Sequence, residues 1–315
     1  MNAPDISLNG VRKAYGDTVA VRDLDLEIPS GSTFALLGPN GSGKTTTIRM
    51  ILGIQEPEAG EVRLLGGPVR PAALDRVGYL PEERGLYPKM KVLDLLVFLA
   101  ELKGIPRGRG RSRAREWMER VGLADRADDR VQGLSKGMQQ KLQFVAAVVH
   151  DPDVVILDEP FSGLDPINQQ ALRDIVSDLR REGRTILFST HIIEHAERLC
   201  DHVCILARGW AVAGGEVAEV KRRHGDRTVA IGLESRSAEG EEAVRRAPGI
   251  ASLRRDGATF EVRLEEDVEP AALLRRLVDD GVALRRFEVM DPSLQQVFVE
   301  RVGELPPEME EPAGV

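Results

Sequence analysis

Cysteine is almost missing from this sequence. Two occur in 315 residues, Cys200 and Cys204. Their spacing matches neither a zinc-ligand pattern nor a Cys-x-x-Cys redox pair, so reduced thiols at the start of a strand in a cytosolic protein are expected. Long apolar runs are missing too. The most apolar stretch, Val92 to Leu102, is broken by Asp94 and falls short of the ~20 residues that span a bilayer. The N-terminus, Met-Asn-Ala-Pro-Asp, lacks the basic and apolar regions of a signal peptide. The sequence therefore predicts a soluble chain whose membrane role, if any, comes through a partner. Lysine is scarce, 8 against 35 arginines, and the arginines are scattered in the manner of coding bias. Net charge is −8, which excludes nucleic-acid binding through a global basic field. Every second residue from Arg107 to Arg115 is Arg, but no aromatic is interleaved. A solvated helix start is the expectation there, rather than a nucleic-acid patch. Neither an internal repeat of 20–50 residues nor a heptad run occurs.

What is present centres on Gly38 to Thr46, Gly-Pro-Asn-Gly-Ser-Gly-Lys-Thr-Thr. An apolar run, Phe34 to Leu37, precedes it, and a helical pattern with Ile48, Ile51 and Leu52 on one face follows. Strand, tight loop and helix are the context of a phosphate-binding loop. Gly38, Gly41 and Gly43 let the backbone bring its N–H groups around phosphate oxygens, with Pro39, Asn40, Ser42 and Thr46 completing the loop. The helix points its positive end at the same place. Lys44 can reach the β- and γ-phosphates, and the Thr45 hydroxyl can ligate Mg²⁺. Alone, the loop says "nucleotide" and no more.

The length suggests about two domains. Strands are expected at Ile6–Val11, Val19–Ile28, Phe34–Leu37, Glu61–Leu65 and Val77–Leu80, with Tyr15 in the turn between the first two. From Val92 to His150 the pattern is helical, with Gly104 and Pro106 ending the first helix. Val154–Leu157 reads as a strand covered on both faces. A helix at Asn168–Arg181, a strand at Thr185–Phe188, a helix at Ile192–Leu199 and a hairpin around Arg208-Gly209 follow. Polar Lys221 to Asp226 is expected to be a linker. Beyond it, strand, helix, hairpin, helix and strand give the β-α-β-β-α-β order of a ferredoxin-like module. A last helix, Ser293 to Val302, is capped by Ser293 or Asp291. Glu304 to Val315 is acidic and Pro-rich, and expected to be disordered.

Val154 to Pro160 ends in Asp158-Glu159-Pro160. A carboxylate at a strand end beside a phosphate loop can hold Mg²⁺ through water, which suits Asp158. Glu159 could then polarise an attacking water. An ordinary charged strand terminus reads equally well from these residues alone.

At this point the chain resembles the nucleotide-binding subunit of an ATP-binding cassette (ABC) transporter, over residues 1 to about 225. Gly38–Thr46 resembles its Walker A loop, and Val154–Pro160 its Walker B strand with the catalytic Glu159. Leu134-Ser-Lys-Gly-Met-Gln139 resembles the signature motif, Ser162-Gly-Leu-Asp165 the D-loop, and Ser189-Thr-His191 the switch histidine. Tyr15 falls where the family stacks an aromatic on adenine. The resemblance implies a P-loop NTPase α/β core of ABC type (1–225) with an antiparallel β subdomain and a helical insert at about 84–150. A small C-terminal α+β domain (226–303) and the tail (304–315) complete it. The resemblance further implies ATP and Mg²⁺ as cofactors, the metal held by Thr45, Glu82 and Asp158, with Glu159 and His191 catalytic. Two features depart from the pattern. Glu82 stands where Gln is usual, and Lys136 and Met138 replace the usual Gly and Gln of the signature. Ser135 and Gly137 remain, to meet ATP on a second nucleotide-binding subunit, homo- or heterodimeric. Lys136 is expected to add charge there, and Asp165 to bridge subunits.

The stretch from Gly78 to Pro88 and the terminal Pro292-Ser-Leu-Gln-Gln-Val-Phe298 further resemble a bacterial sodium- or drug-export branch. The implied partner is an integral membrane permease, and the implied place is the inner face of the cell membrane. No nucleic-acid partner is expected. The alternatives are a soluble ABC ATPase acting on ribosomes or DNA, and a regulatory module that holds ATP without turnover. The single cassette, the missing coiled coil and the intact Glu159 and His191 argue against them.

Overall fold

The fold comes from a computed structural model that describes residues 3–83, 85–224, 228–234, 238–257, 259–265, 267–290 and 293–303. The chain divides into two compact units, Met1–Val217 and Ala218–Glu304.

In the first unit, β1 (Pro4–Tyr15) and β2 (Thr18–Pro29) alternate buried and exposed residues, as strands with one wet face do. With β4 (Ala59–Leu64) and β5 (Gly67–Pro68) they form an antiparallel sheet in the order β2-β1-β4-β5. Between them in sequence come β3 (Thr33–Leu37) and α1 (Lys44–Ile51). After α2 (Pro71–Leu74), β6 (Val77–Leu80) leads to the helical insert: α3 (Val92–Leu102), α4 (Arg107–Arg120) and α5 (Lys136–Val148). Then follow β7 (Val154–Asp158), α6 (Pro166–Arg181), β8 (Thr185–Thr190), α7 (Ile193–Leu199), β9 (His202–Ala207) and β10 (Trp210–Glu216). The second sheet runs β10-β9-β3-β8-β7-β6, parallel except for β10. All residues of β3, β7 and β8 are buried, which is why they read as unbroken apolar runs. Helix α1 lies between the sheets. Its Ile48, Met50 and Ile51 share one core with Ile6, Leu8 and Leu26 on one side and Ile156 and Leu187 on the other.

The insert closes on the core through α5. A Cβ on Gly78 would lie 2.0 Å from the Ala147 carbonyl oxygen, so only glycine lets β6 approach this closely. The arginine-rich run, Arg107 to Arg115, starts helix α4 as expected. Its Arg113 pairs with Asp151 at 3.0 Å and its Arg120 with Asp178 at 3.1 Å, tying α4 to the core.

The expected linker is a correction. Lys221 to His224 complete α8 (Val217–His224), because Val217 and Val220 fall one turn apart and are buried together; residues 225–227 lie outside the described set. The division between the units falls after Val217, the first residue of α8. The second unit continues with β11 (Thr228–Leu233), α9 (Ala238–Arg246), β12 (Ile250–Asp256), β13 (Thr259–Leu264), α10 (Pro270–Asp279), β14 (Leu284–Met290) and α11 (Leu294–Gly303). Its sheet is wholly antiparallel in the order β12-β13-β11-β14, the ferredoxin-like arrangement. Val244 of α9 and Leu273 and Leu277 of α10 pack on Val229, Ile231, Phe260 and Val262. Ser293 Oγ accepts from Gln296 N, and Gln296 Oε1 from Ser293 N, a reciprocal cap on α11. Asp291, Pro292 and the tail 304–315 lie outside the described residues.

Candidate active site

Three loops meet because β3, β8 and β7 are parallel neighbours. The chain leaves each at the same end of the sheet, where ligands bind in open α/β sheets. The loop after β3 needs its glycines. A Cβ on Gly38 would sit 2.3 Å from Leu206 O, and one on Gly43 2.4 Å from Ala20 O. Gly43 also has φ of 107°, in the left-handed region. It gives α1 no capping side chain, so the first-turn N–H groups are open to an anion.

Lys44 folds back over the loop. Its Nζ donates to Gly38 O at 2.8 Å and Pro39 O at 3.2 Å. Burial lowers its pKa, opposed by the charges of Glu159, Asp158 and Glu82. A cleft of about 460 Å³ opens here, lined by Tyr15, Asn40, Lys44, Thr45, Glu82 and Glu159, with Gly41, Gly43, Thr46 and Ala20. Ser42 is buried beneath the loop, and its backbone O accepts from Gly209 N at 3.1 Å.

Asp158 ends β7 fully buried. Its Oδ1 accepts from Thr45 Oγ1 at 3.4 Å and from the Ser189 hydroxyl. Its Oδ2 has no partner. A buried carboxylate oxygen without a partner is costly. An unpaired oxygen beside a threonine hydroxyl, with the Glu82 side chain on the same cleft, is an all-oxygen donor set that fits a hard divalent cation.

Glu159 occupies a strained backbone position, φ 49° without being glycine. Its N–H donates to Ser189 Oγ at 3.0 Å. That pose aims a buried carboxylate into the cleft, where Oε1 lies 3.8 Å from Lys44 Nζ and 3.0 Å from His191 Nδ1. His191 is half exposed, so its far edge is free to meet a ligand.

Tyr15 ends β1, just before the turn rather than within it, and its hydroxyl bonds Gln55. Its ring, 45% exposed, offers a face at the cleft mouth, with Lys13 Nζ 5.8 Å from the centroid. Glu82 is exposed on a loop pinned from below: Gln143 Nε2 of α5 donates to Pro81 O at 2.9 Å and Glu83 O at 3.1 Å.

The other predicted residues do not join this cleft. Ser135 caps α5, its Oγ accepting from Met138 N at 3.3 Å. Ser135 and Lys136 are exposed. Asp165 caps α6, accepting from Asn168 N at 2.9 Å and from Asn168 Nδ2. Gly137 adjoins that cap, since a Cβ there would be 3.7 Å from Asn168 Nδ2. Two exposed helix starts therefore form a second polar cluster outside the cleft's lining.

Sequence reasoning gave no role to Ser189, Gln143 or Gln55. Ser189 stood inside the quoted Ser-Thr-His motif. Gln143 showed itself only as a polar residue inside the α5 apolar stripe, and it is 3% exposed. Gln55, 40 residues from Tyr15, left no sequence signal.

Comparison with known proteins adds the rest. The family profile "ABC transporter" matches residues 21–162. The profile "ATP-binding protein DrrA1-3-like, C-terminal domain" matches residues 215–302. The uncharacterized ABC transporter ATP-binding protein YhaQ of Bacillus subtilis is 43% identical, over 95% of this chain and 98% of its own length. The Nod factor export ATP-binding protein I of Cupriavidus metallidurans is 40% identical over 68% of this chain and 72% of its own. Among solved structures, a bacterial ABC transporter cassette in dimeric form is 25% identical, covering 67% of this chain and 98% of that one, with a TM-score of 0.62.

Proposed function

This chain belongs to the ABC transporter ATP-binding proteins, an ATPase family, and we propose that it powers export through a separate membrane permease. In this reading Tyr15 stacks on adenine, and the loop from Gly38 to Thr46 cradles the phosphates with Lys44 on the β- and γ-oxygens. A Mg²⁺ held by Thr45, Glu82 and Asp158 would neutralise charge on the transferred phosphoryl group. Glu159 orients water and takes its proton as the water oxygen bonds to the γ-phosphorus and the bond to ADP breaks. His191 steadies Glu159 and reaches toward the γ-phosphate. The observation that carries hydrolysis is one carboxylate oxygen, Glu159 Oε1, within 3.8 Å of Lys44 Nζ and 3.0 Å of His191 Nδ1.

Ser135, Lys136 and Gly137 then serve ATP on a second subunit, with Asp165 at the interface. The exposure of Ser135, Lys136 and Asp165 and the absence of all four from their own cleft's lining support that reading, as does the dimeric cassette among similar structures. Among the described residues no helix is long and apolar enough to cross a membrane, so attachment to the inner face of the cell membrane would run through the permease. A groove of about 270 Å³ lined by Pro81, Leu86, Leu99, Leu102 and Lys103 adjoins the loop that Gln143 pins, and gives a permease a place to sense nucleotide state. Export is supported by the name of the Nod factor export relative.

The test is a pull-down. Tagged Glu159→Gln protein with ATP is captured from detergent-solubilised native membranes, and its companions are identified by mass spectrometry. A multi-helix membrane protein in near-equal amount is expected. Ribosomal or DNA-associated proteins, or no companion, would overturn the transporter reading and leave the ATPase chemistry standing.

A further inference from the structure

The C-terminal sheet ends on β14, which pairs with β11 on one side and with no strand of the described residues on the other. Such an edge is a template for another strand. Arg285, Arg286, Glu288 and Val289 along it are exposed, Val289 by 56%. Charges on an edge ordinarily discourage strand addition. Here their order is self-complementary. Two β14 strands laid antiparallel about a two-fold axis at Phe287 set Arg286 opposite Glu288 twice, Phe287 opposite its copy, and Arg285 opposite Val289. Moving the axis to Arg286 or to Glu288 sets like charges opposite each other, so the sequence selects one register.

The two faces of that junction also agree. Phe287 lies opposite Ile231 in the β11 ladder and packs with the core under α9 and α10. With the axis at Phe287 the helices of both copies stay on one side of the joined sheet. On the other side, Arg286 Nε already donates to Glu288 within the strand at 2.7 Å. Two such pairs brought together make a square of alternating charge. At the far edge, by contrast, Arg255 of β12 is bonded to Glu241 of α9 at 3.1 Å.

We propose that the β14 edge docks a second copy of this chain, joining two four-stranded sheets into one. The contact needs no nucleotide, so it is separate from the ATP-dependent pairing proposed above. The test is sedimentation velocity of the full chain without nucleotide. A concentration-dependent dimer is expected. Arg286→Glu makes the edge acidic and Glu288→Arg makes it basic. Each is expected to raise the dissociation constant at least about tenfold, because two opposed pairs change together. Mixing the two variants is expected to restore the dimer, since an acidic edge then faces a basic one. A monomeric wild type, a variant that pairs as well as wild type, or a mixture that stays monomeric would each overturn the proposal. Cassette pairing is read separately, from Glu159→Gln with and without ATP, so the two readings fail independently.

Discussion

Both units of this chain pack helices on sheets, yet they distribute chemistry differently. In the first, β3, β8 and β7 are parallel and buried on both faces. Parallel strands must all deliver their loops at the same end, so residues as distant as Lys44, Glu159 and His191 arrive together. In the second, antiparallel strands send their connections to both ends, and the helices α9 and α10 cover one face. Its charged side chains gather instead on a sheet face, as Arg254, Glu261, Arg263 and Glu300 do, and along an edge. The lesson is that strand direction, more than composition, decides whether a sheet gathers a site.

Substitutions can break or sharpen this contrast. The largest effect is expected from Glu159→Gln, which removes the proton acceptor while keeping the shape. Steady-state ATPase activity should fall about 10²- to 10⁴-fold with nucleotide binding retained; a smaller fall would show that the convergence of loops is not the seat of hydrolysis. Phe260→Ala empties the centre of the second unit's core. It should cost that unit roughly 3–5 kcal/mol in denaturant unfolding, with ATPase activity retained. Loss of activity in parallel would mean that the contrast between the units is false.

Next comes pH. His150 is buried in the first unit, its Nε2 3.1 Å from Val77 O. Burial, with Lys103 nearby, brings its pKa from 6.5 down to about 4. The unfolded chain takes up a proton below pH 6.5 that the folded chain refuses until about pH 4. Its share of stability is therefore whole above pH 6.5 and is lost as pH falls to about 4, by up to about 3 kcal/mol. Chemical denaturation across that window should show the decline, and His150→Gln should flatten it. The smallest effect is expected from Asp165→Ala, which removes the α6 cap and should cost about 1 kcal/mol of unfolding free energy. If it also weakens an ATP-dependent dimer by more than that loss explains, Asp165 has the interface role as well.

Much of this was legible in the residues. Gly38 to Thr46 announced strand, loop and helix, and glycine was needed there because neighbouring backbone leaves no room for a Cβ. The unbroken apolar run before Asp158 announced a strand with two covered faces. The order β-α-β-β-α-β announced the second unit's topology, although its first helix, α8, hid behind the polar surface of Lys221 to His224. There the deciding pair was Val217 and Val220, too few to outweigh the charges in a linear reading. The residues that hold the site in pose were less visible. Ser189 and Gln143 act on partners 31 and 62 residues away, and nothing in linear spacing marks a hydrogen bond closed by the sheet.

By itself, then, the sequence determined which groups are available: a glycine loop, a lysine, two carboxylates, a histidine, and the periodicities of sheet and helix. These are local properties, set by side-chain chemistry and backbone sterics. Only the tertiary structure decided that β8 lies between β3 and β7, that Glu159 is twisted to φ 49° with its oxygen between Lys44 and His191, and that Ser135 and Asp165 stay outside the cleft. Those outcomes depend on strand order and on packing between distant segments, whose energies appear only when the chain has closed.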